Sequence, residues 1–370
     1  MTRSKRAILA HDERDLLPKR RGISFAAAIA ISLTMLPADA RSQSPLTGGA
    51  ATANPIVGLA TPLRLDMSDP QRPAVYAGEQ LVAAYVEHSG TKPIIHPLQT
   101  VGGRRVIRDW PVVESTTGQG RLDHVHHRSM WFSYGDIDGI DYWAETAAKQ
   151  GTIESTSVDA AEADRGVTIE SQWNWEQPGG QKHLESSQTF SFQLDANTLI
   201  IDTDIELAAT EQDLHFGDTK EGAFAVRVAG PMAVEAKQGG AITNAEGQHD
   251  DAAWGQRSQF VQYSGPVAAS PAGEATDADE HAGIAILVHP DSFGYPGRWH
   301  VRTYGLFAHN PFGVHDFIEA AAATEAEQDR VGGFTLAKGK TLRLKYRTLV
   351  TERPLPLEMI EKYWNDFADR

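Results

Sequence analysis

Apolar and polar residues alternate with a period of two over most of this chain, the pattern of half-buried strands. Val167 to Trp175 (VTIESQWNW), Gln188 to Leu194 (QTFSFQL), Thr198 to Leu207 (TLIIDTDIEL), Gly283 to Val288 (GIAILV) and Thr341 to Val350 (TLRLKYRTLV) all read as strands. Gly102-Gly103 and Asp138-Gly139 sit between such runs as hairpin turns. One segment switches to helical spacing: Pro356 to Phe367 carries Leu357, Ile360, Tyr363, Trp364 and Phe367 on one face. Many strands and one convincing helix predict an all-β protein, a large antiparallel sandwich or barrel over 61–355 with a short C-terminal helix over 356–370 packed on it. Ala269 to Ala282 (ASPAGEATDADEHA) has no periodicity and reads as an exposed acidic loop between strands.

The N-terminus breaks the alternation. Lys19-Arg20-Arg21, an apolar run from Ile23 to Leu36 and the small-residue end Ala38-Asp39-Ala40 together read as a signal peptide over 1–40, followed by a flexible Ser/Gly/Ala/Thr-rich stretch over 41–60. A periplasmic or secreted protein is therefore expected. The apolar run is too short for a membrane span and no later run approaches eighteen apolar residues, so no membrane insertion is expected of the mature chain.

Composition narrows the chemistry. With no cysteine there are no disulfides, no thiolate metal sites and no cysteine nucleophile. The formal net charge is −15, and residues 1–40 hold seven Lys/Arg and four Asp/Glu, so their removal leaves −18. That balance argues against nucleic acid as a partner. The one basic cluster outside the leader, Arg104-Arg105 with Arg108, reads as a solvated hairpin in preference to an anion pocket. There is no dinucleotide fingerprint, phosphate loop, H-E-x-x-H or serine-nucleophile elbow in the required context, so no nucleotide cofactor is expected.

Three clusters carry the candidate chemistry. In Asp123 to Asp136 (DHVHHRSMWFSYGD), three histidines fall in four positions beside an Asp, an Arg and Trp131. If this stretch is extended, His124, His126 and Arg128 share one face, and an H-x-H pair on a strand suits metal binding or proton transfer. The second cluster runs from His215 to Gly222 (HFGDTKEG) and on to Arg227; Lys220 and Glu221 would point to opposite faces of a strand. The third places His300, Arg302 and Tyr304 on one strand face, with His309 and the turn Asn310-Pro311 beyond it. Aromatic side chains accompany these clusters, which suits stacking against sugar rings.

The motifs DHVHHRSMWFSYGDIDGIDYWAE, FGDTKEGAFAVRVA and HPDSFGYPGRWHVRTYGLFAHNPFG, spread from about Pro93 to Phe334, resemble a bacterial family named PmoA, or methane oxygenase PmoA. Methane oxidation does not transfer, because a particulate methane monooxygenase subunit is an integral membrane protein and this chain has no membrane helix after its leader. The resemblance implies a β-sandwich similar to the galactose-mutarotase-like supersandwich, exported by glycan-degrading bacteria. It carries over His124, His126, His127 and Arg128, then Lys220, Glu221 and Arg227, then His300, Arg302, Tyr304, His309 and Asn310.

The resulting expectation is a carbohydrate-active hydrolase or lyase acting on a small-molecule or oligosaccharide substrate, the other reading being a glycan-binding protein without turnover. His126 or His124 would be the base and Glu221 or Tyr304 the acid, with Lys220, Arg227 and Arg302 holding a carboxylate or developing oxyanion. His127 counts with the catalytic group, while Arg128, Trp131, His300, His309 and Asn310 would bind substrate. If a divalent metal takes part, His124, His126 and His309 would be its ligands, in an N/O-liganded site.

Overall fold

The computed structural model describes residues 62–114, 120–145, 149–267, 281–317 and 332–370. The expected signal peptide and flexible stretch lie outside the described residues, as does most of the acidic loop. That loop was expected to run through Ala282, but residues 281–282 already belong to a strand, paired with residues 265–266.

The alternating segments form two eight-stranded antiparallel sheets. The first runs β1 (Leu63–Asp66), β2 (Ala74–Ala77), β3 (Gln80–Ser89), β4 (Lys92–Leu98), β5 (Met130–Tyr134), β11 (Gly222–Arg227), β16 (Leu306–Asn310) and β15 (Arg298–Val301). The second runs β12 (Ala241–Asn244), β13 (Phe260–Pro266), β14 (His281–Val288), β18 (Thr341–Thr351), β9 (Thr198–Ala208), β8 (Lys182–Asp195), β7 (Gly166–Glu176) and β6 (Thr152–Ala163). A small pair, β10 (Leu214–Phe216) with β17 (Phe334–Leu336), completes the strands. All five runs expected from alternation lie within β7, β8, β9, β14 and β18.

Period-two patterning sends one side of each sheet into a shared core. Phe224 of β11 stacks on Tyr346 of β18 at 4.4 Å, and Phe132 of β5 meets Trp175 of β7 edge-on at 5.8 Å. The turn at Asp138-Gly139 is a two-residue hairpin in which Ile137 and Ile140 exchange both backbone hydrogen bonds. Both central residues have positive φ (53° and 78°), the conformation that Asp-Gly favours.

The expected helix, α1 (Leu357–Ala368), begins one residue late because Pro356 sits at its N-cap. It covers part of the second sheet's outer face, where Ile360 and Phe367 are buried with Ile200, Phe260, Leu287 and Leu349. Trp364 donates its indole N–H to the Val288 carbonyl at 2.8 Å.

Candidate functional site

The site lies on the outer face of the first sheet, and strand register builds its floor. Trp131 of β5 lies opposite Ala225 of β11, Ala225 opposite Ala308 of β16, and Ala308 opposite His300 of β15, in one line across four strands. Two small residues at the centre of that line leave room between a tryptophan and a histidine. Around them Trp131, Trp143, Leu306 and Tyr304 form a separate outer cluster.

The histidines do not reach this floor as an extended strand. β5 begins only at Met130, and residues 123–129 form a loop that turns at Val125-His126. His124 (φ 51°) and Ser129 (φ 60°) adopt left-handed backbone on either side of the turn, which gathers the imidazoles that strand alternation would have divided between two faces. One ring nitrogen from each of His124, His126 and His127 lies within 4.8 Å of the other two. His124 stacks parallel to His127 at 4.6 Å and to Tyr304 at 5.3 Å, while His126 meets the other two histidines edge-on.

Arg108 holds the loop in place. Its buried guanidinium donates to the carbonyls of Trp110, Arg121, His124 and His127 and to Asp123 Oδ1 at 3.1 Å. This overturns the hairpin reading of Arg108: a guanidinium that satisfies five acceptors, at Trp110 and along residues 121–127, is a buried clamp. Arg105, by contrast, pairs with Asp109, and Arg104 with Glu352. Arg227, also buried, donates to the same Asp123 Oδ1 at 2.7 Å and to His127 Nδ1 at 3.0 Å. Two buried guanidiniums therefore share one carboxylate oxygen.

That charge balance sets the protonation states. Burial pushes His126 down to about 4, helped by the Lys92 ammonium, and pushes His127 well below the ordinary imidazole range. His124 is lowered by burial against the pull of Asp123. All three imidazoles are thus held neutral near pH 7. Burial raises Tyr304 to about 12 although Arg227 and Arg302 oppose it, so the phenol keeps its proton. Burial pushes Asp123 up, but Arg227, His124 and Arg108 more than offset this and hold it below the usual carboxylate range.

The same contacts test the metal reading. Arg227 can only donate, so Nδ1 of His127 accepts and the ring's own proton sits on Nε2. A ligating imidazole instead donates its remote N–H to a carboxylate or carbonyl. Here the remote position faces a cation, so His127 is set up as a hydrogen-bond donor, leaving His124 and His126. His309 does not join them: it projects from the inner side of β16, where Tyr346 Oη and the Pro296 carbonyl engage its two ring nitrogens at 3.0 and 2.8 Å. Strand alternation sends it to the face opposite Ala308, so the expected set of His124, His126 and His309 is corrected.

The second and third clusters meet on the far side of the alanine floor. Lys220 and Glu221 do not diverge; they pair at 3.5 Å, and Lys220 also faces Asp316 at 3.7 Å, because the loop before β11 is not extended. Burial raises the Glu221 carboxyl despite Lys220. His300 Nδ1 donates to the Lys220 carbonyl at 2.9 Å; burial holds its pKa down at about 3. β15 ends at Val301, so Arg302 and Tyr304 belong to the tight turn before β16, not to a strand face with His300. The Arg302 guanidinium lies over the rings of Trp254 and Tyr304 at 5.5 and 5.8 Å.

Three expected substrate contacts turn out to be supports. Trp131 is 2 % exposed and backs His127 at 5.5 Å. Arg128 bonds both oxygens of Glu145 at 2.6 and 2.7 Å, in a network with the buried Lys92. Asn310 donates to the Thr219 carbonyl and caps the turn at Phe312-Gly313. Sequence reading missed Lys92, Glu145 and Trp254, counted Trp143 only among the aromatics accompanying the clusters, and placed Arg108 outside the site. Arg108 left a signal as part of a basic cluster with Arg104 and Arg105.

Fold and site together define an antiparallel two-sheet sandwich carrying a histidine, arginine and aromatic pocket on one outer face. The chain belongs to the family described as "Family of unknown function (DUF6807)", which matches residues 72–365 and so spans all three clusters. That description contains no reference to PmoA, and the match lends no support to that name. No curated protein matches the chain.

Proposed function

We propose that this protein is an exported carbohydrate-active enzyme, of hydrolase or lyase type, working by acid/base catalysis in the outer-face pocket. The observation that carries the reading is the stack of His124 on Tyr304 at 5.3 Å beside two buried guanidiniums that share one carboxylate oxygen. A neutral imidazole accepts a proton and a protonated phenol gives one up. His124 is the base because its side chain is 41 % exposed, whereas His127 is buried. Tyr304 is the acid, and the Arg227 guanidinium 4.8 Å from its ring favours the phenolate left behind. Arg108 and Arg227 supply fixed positive charge for negative charge that develops during reaction. Support for carbohydrate comes from the motif resemblance and from Tyr304 and Trp254, aromatic residues that, unlike Trp131 and Trp143, are only half-buried.

The test is turnover of a panel of glycosides and uronides by purified protein. His124→Ala and Tyr304→Phe should each lower kcat by about 10²- to 10⁴-fold with unchanged melting temperature. A change below threefold in both, at full wild-type activity, removes His124 and Tyr304 as catalytic residues.

A further inference from the structure

The arginines of the pocket differ in one respect. Arg108, Arg121 and Arg227 all pair with Asp123, and Arg121 also with Glu235. Arg128 is taken by Glu145. Arg302 has no carboxylate partner among the described residues. Its backbone is nonetheless fixed: the Arg302 N–H donates to Leu306 O at 2.8 Å, Gly305 N–H donates to Arg302 O at 2.9 Å, and Tyr263 Oη reaches the carbonyls of Arg302 and Thr303. The rings of Trp254 and Tyr304 then hold the side chain at the rim, next to the His124–Tyr304 stack.

A guanidinium covered by rings keeps its N–H edge for an acceptor in its own plane, and a carboxylate fits that edge with both oxygens. The local charge points the same way. Near the histidines, the guanidiniums of Arg108, Arg121 and Arg227 pair only with the carboxylates of Asp123 and Glu235, and Arg302 lies between this group and His300, over the rings of Tyr304 and Trp254. On the opposite side Lys220 is flanked by two carboxylates, Glu221 and Asp316. The pocket therefore has a cationic end and an acidic end, with Tyr304 responding to Arg302 and Arg227 on one hand and to Glu221 on the other. A substrate with one anionic group has a single favoured orientation in such a field.

We propose that Arg302 anchors a carboxylate carried by the substrate, which makes uronic acids the substrate class of this pocket. The role rests on the carbohydrate reading above. The carboxylate seats at Arg302, which turns the sugar ring over the Ala225–Ala308 floor and brings its reacting bond to the edge of the His124–Tyr304 stack.

The experiment is isothermal titration calorimetry of the purified protein with D-glucuronate and D-galacturonate, with D-glucose and D-galactose as neutral matches and with acetate and inorganic phosphate as sugar-free anions. It is repeated on Arg302→Gln and Arg302→Lys, each checked for an unchanged melting temperature. Uronates should bind about tenfold or more tighter than the neutral sugars. Arg302→Gln should erase that advantage and leave neutral-sugar binding unmoved, and Arg302→Lys should restore part of it. Equal affinity for uronates and neutral sugars, or an advantage that survives in Arg302→Gln, overturns the anchor and leaves the carbohydrate reading standing. Arg302-dependent binding of acetate and phosphate with no binding of any sugar overturns the uronate class and the carbohydrate reading together.

Discussion

On the outer face of the second sheet, register lines up a hydroxyl, a carboxylate and a cation three times over: Ser187, Glu206 and Arg343; Thr189, Asp204 and Lys345; Ser191, Asp202 and Arg347. Arg347 bonds both oxygens of Asp202 at 2.6 and 2.8 Å, and Arg343 reaches diagonally to Asp204. All of these except Arg347 line a groove of about 380 Å³ beside Phe367 and Arg370. The outer face of the first sheet also buries guanidiniums, but where the buried Arg347 has two carboxylates, Asp202 and Asp366, the buried Arg108 and Arg227 share one carboxylate oxygen, and the imidazoles beside them are held neutral. The comparison separates two meanings of a polar sheet face. Charges that are each matched by a carboxylate across neighbouring strands are stable as they stand. Buried charge that the protein itself leaves under-compensated costs stability, and a site for a ligand accounts for its presence.

The largest effect that bears on this comparison is expected at Asp123. Asp123→Ala leaves Arg108 and Arg227 buried without their shared carboxylate, and the cost of stranding buried charge is roughly 3–5 kcal/mol. Urea unfolding followed by tryptophan fluorescence should show that loss, and Asp123→Asn should recover part of it by keeping hydrogen-bond acceptance. A loss no larger than that of an exposed ion pair would mean that the two faces do not differ in kind.

The two faces also differ in how far they could be read from the chain. Five strands of the second sheet, β7, β8, β9, β14 and β18, were legible from alternating or apolar runs, whereas β6, β12 and β13 were not singled out. The spacing of Leu357, Ile360, Trp364 and Phe367 likewise foretold which side of α1 is buried. The candidate site was legible as composition and not as geometry. Three histidines in four positions announced chemistry, but the left-handed backbone at His124 and Ser129 replaced the expected strand by a turn. His309 was misplaced because a strand of fully buried residues, LFAHN, gives no polar face to mark which side is inward. Lys92 and Glu145 are 53 positions apart and carried no pattern that could join them.

An intermediate effect is expected with pH, and it too divides the sheets. His309, buried between the sheets, and His96 on β4 are both held down by burial at about 4, against an ordinary 6.5; His126, in the loop over the first sheet, is at about 4 as well. For these groups the folded state refuses a proton that the unfolded chain accepts. Their stability contribution is therefore complete above pH 6.5, falls as pH drops from 6.5 towards 4, and changes no further below 4. For the fully buried His309 the loss is on the order of 3 kcal/mol. Unfolding free energies at pH 7.0, 5.5 and 4.5 should fall in that order, and His309→Gln should flatten the slope. Equal stability at pH 7.0 and 4.5 would show that these histidines are not held neutral by the fold.

The smallest effect is expected on the second sheet, where a null result is itself informative. Arg343 has a side chain 60 % exposed and pairs with Asp204 at the sheet surface, so Arg343→Ala should cost no more than about 1 kcal/mol. The double-mutant cycle with Asp204→Ala should give a coupling energy that shrinks further in 0.5 M salt, because ions in solution screen charges that water already reaches. Neither variant should alter turnover or uronate binding. If Arg343→Ala weakens uronate binding as strongly as Arg302→Gln, then the groove beside α1 takes the sugar, and mutual pairing of surface charges no longer separates a solvated face from a binding face in this fold.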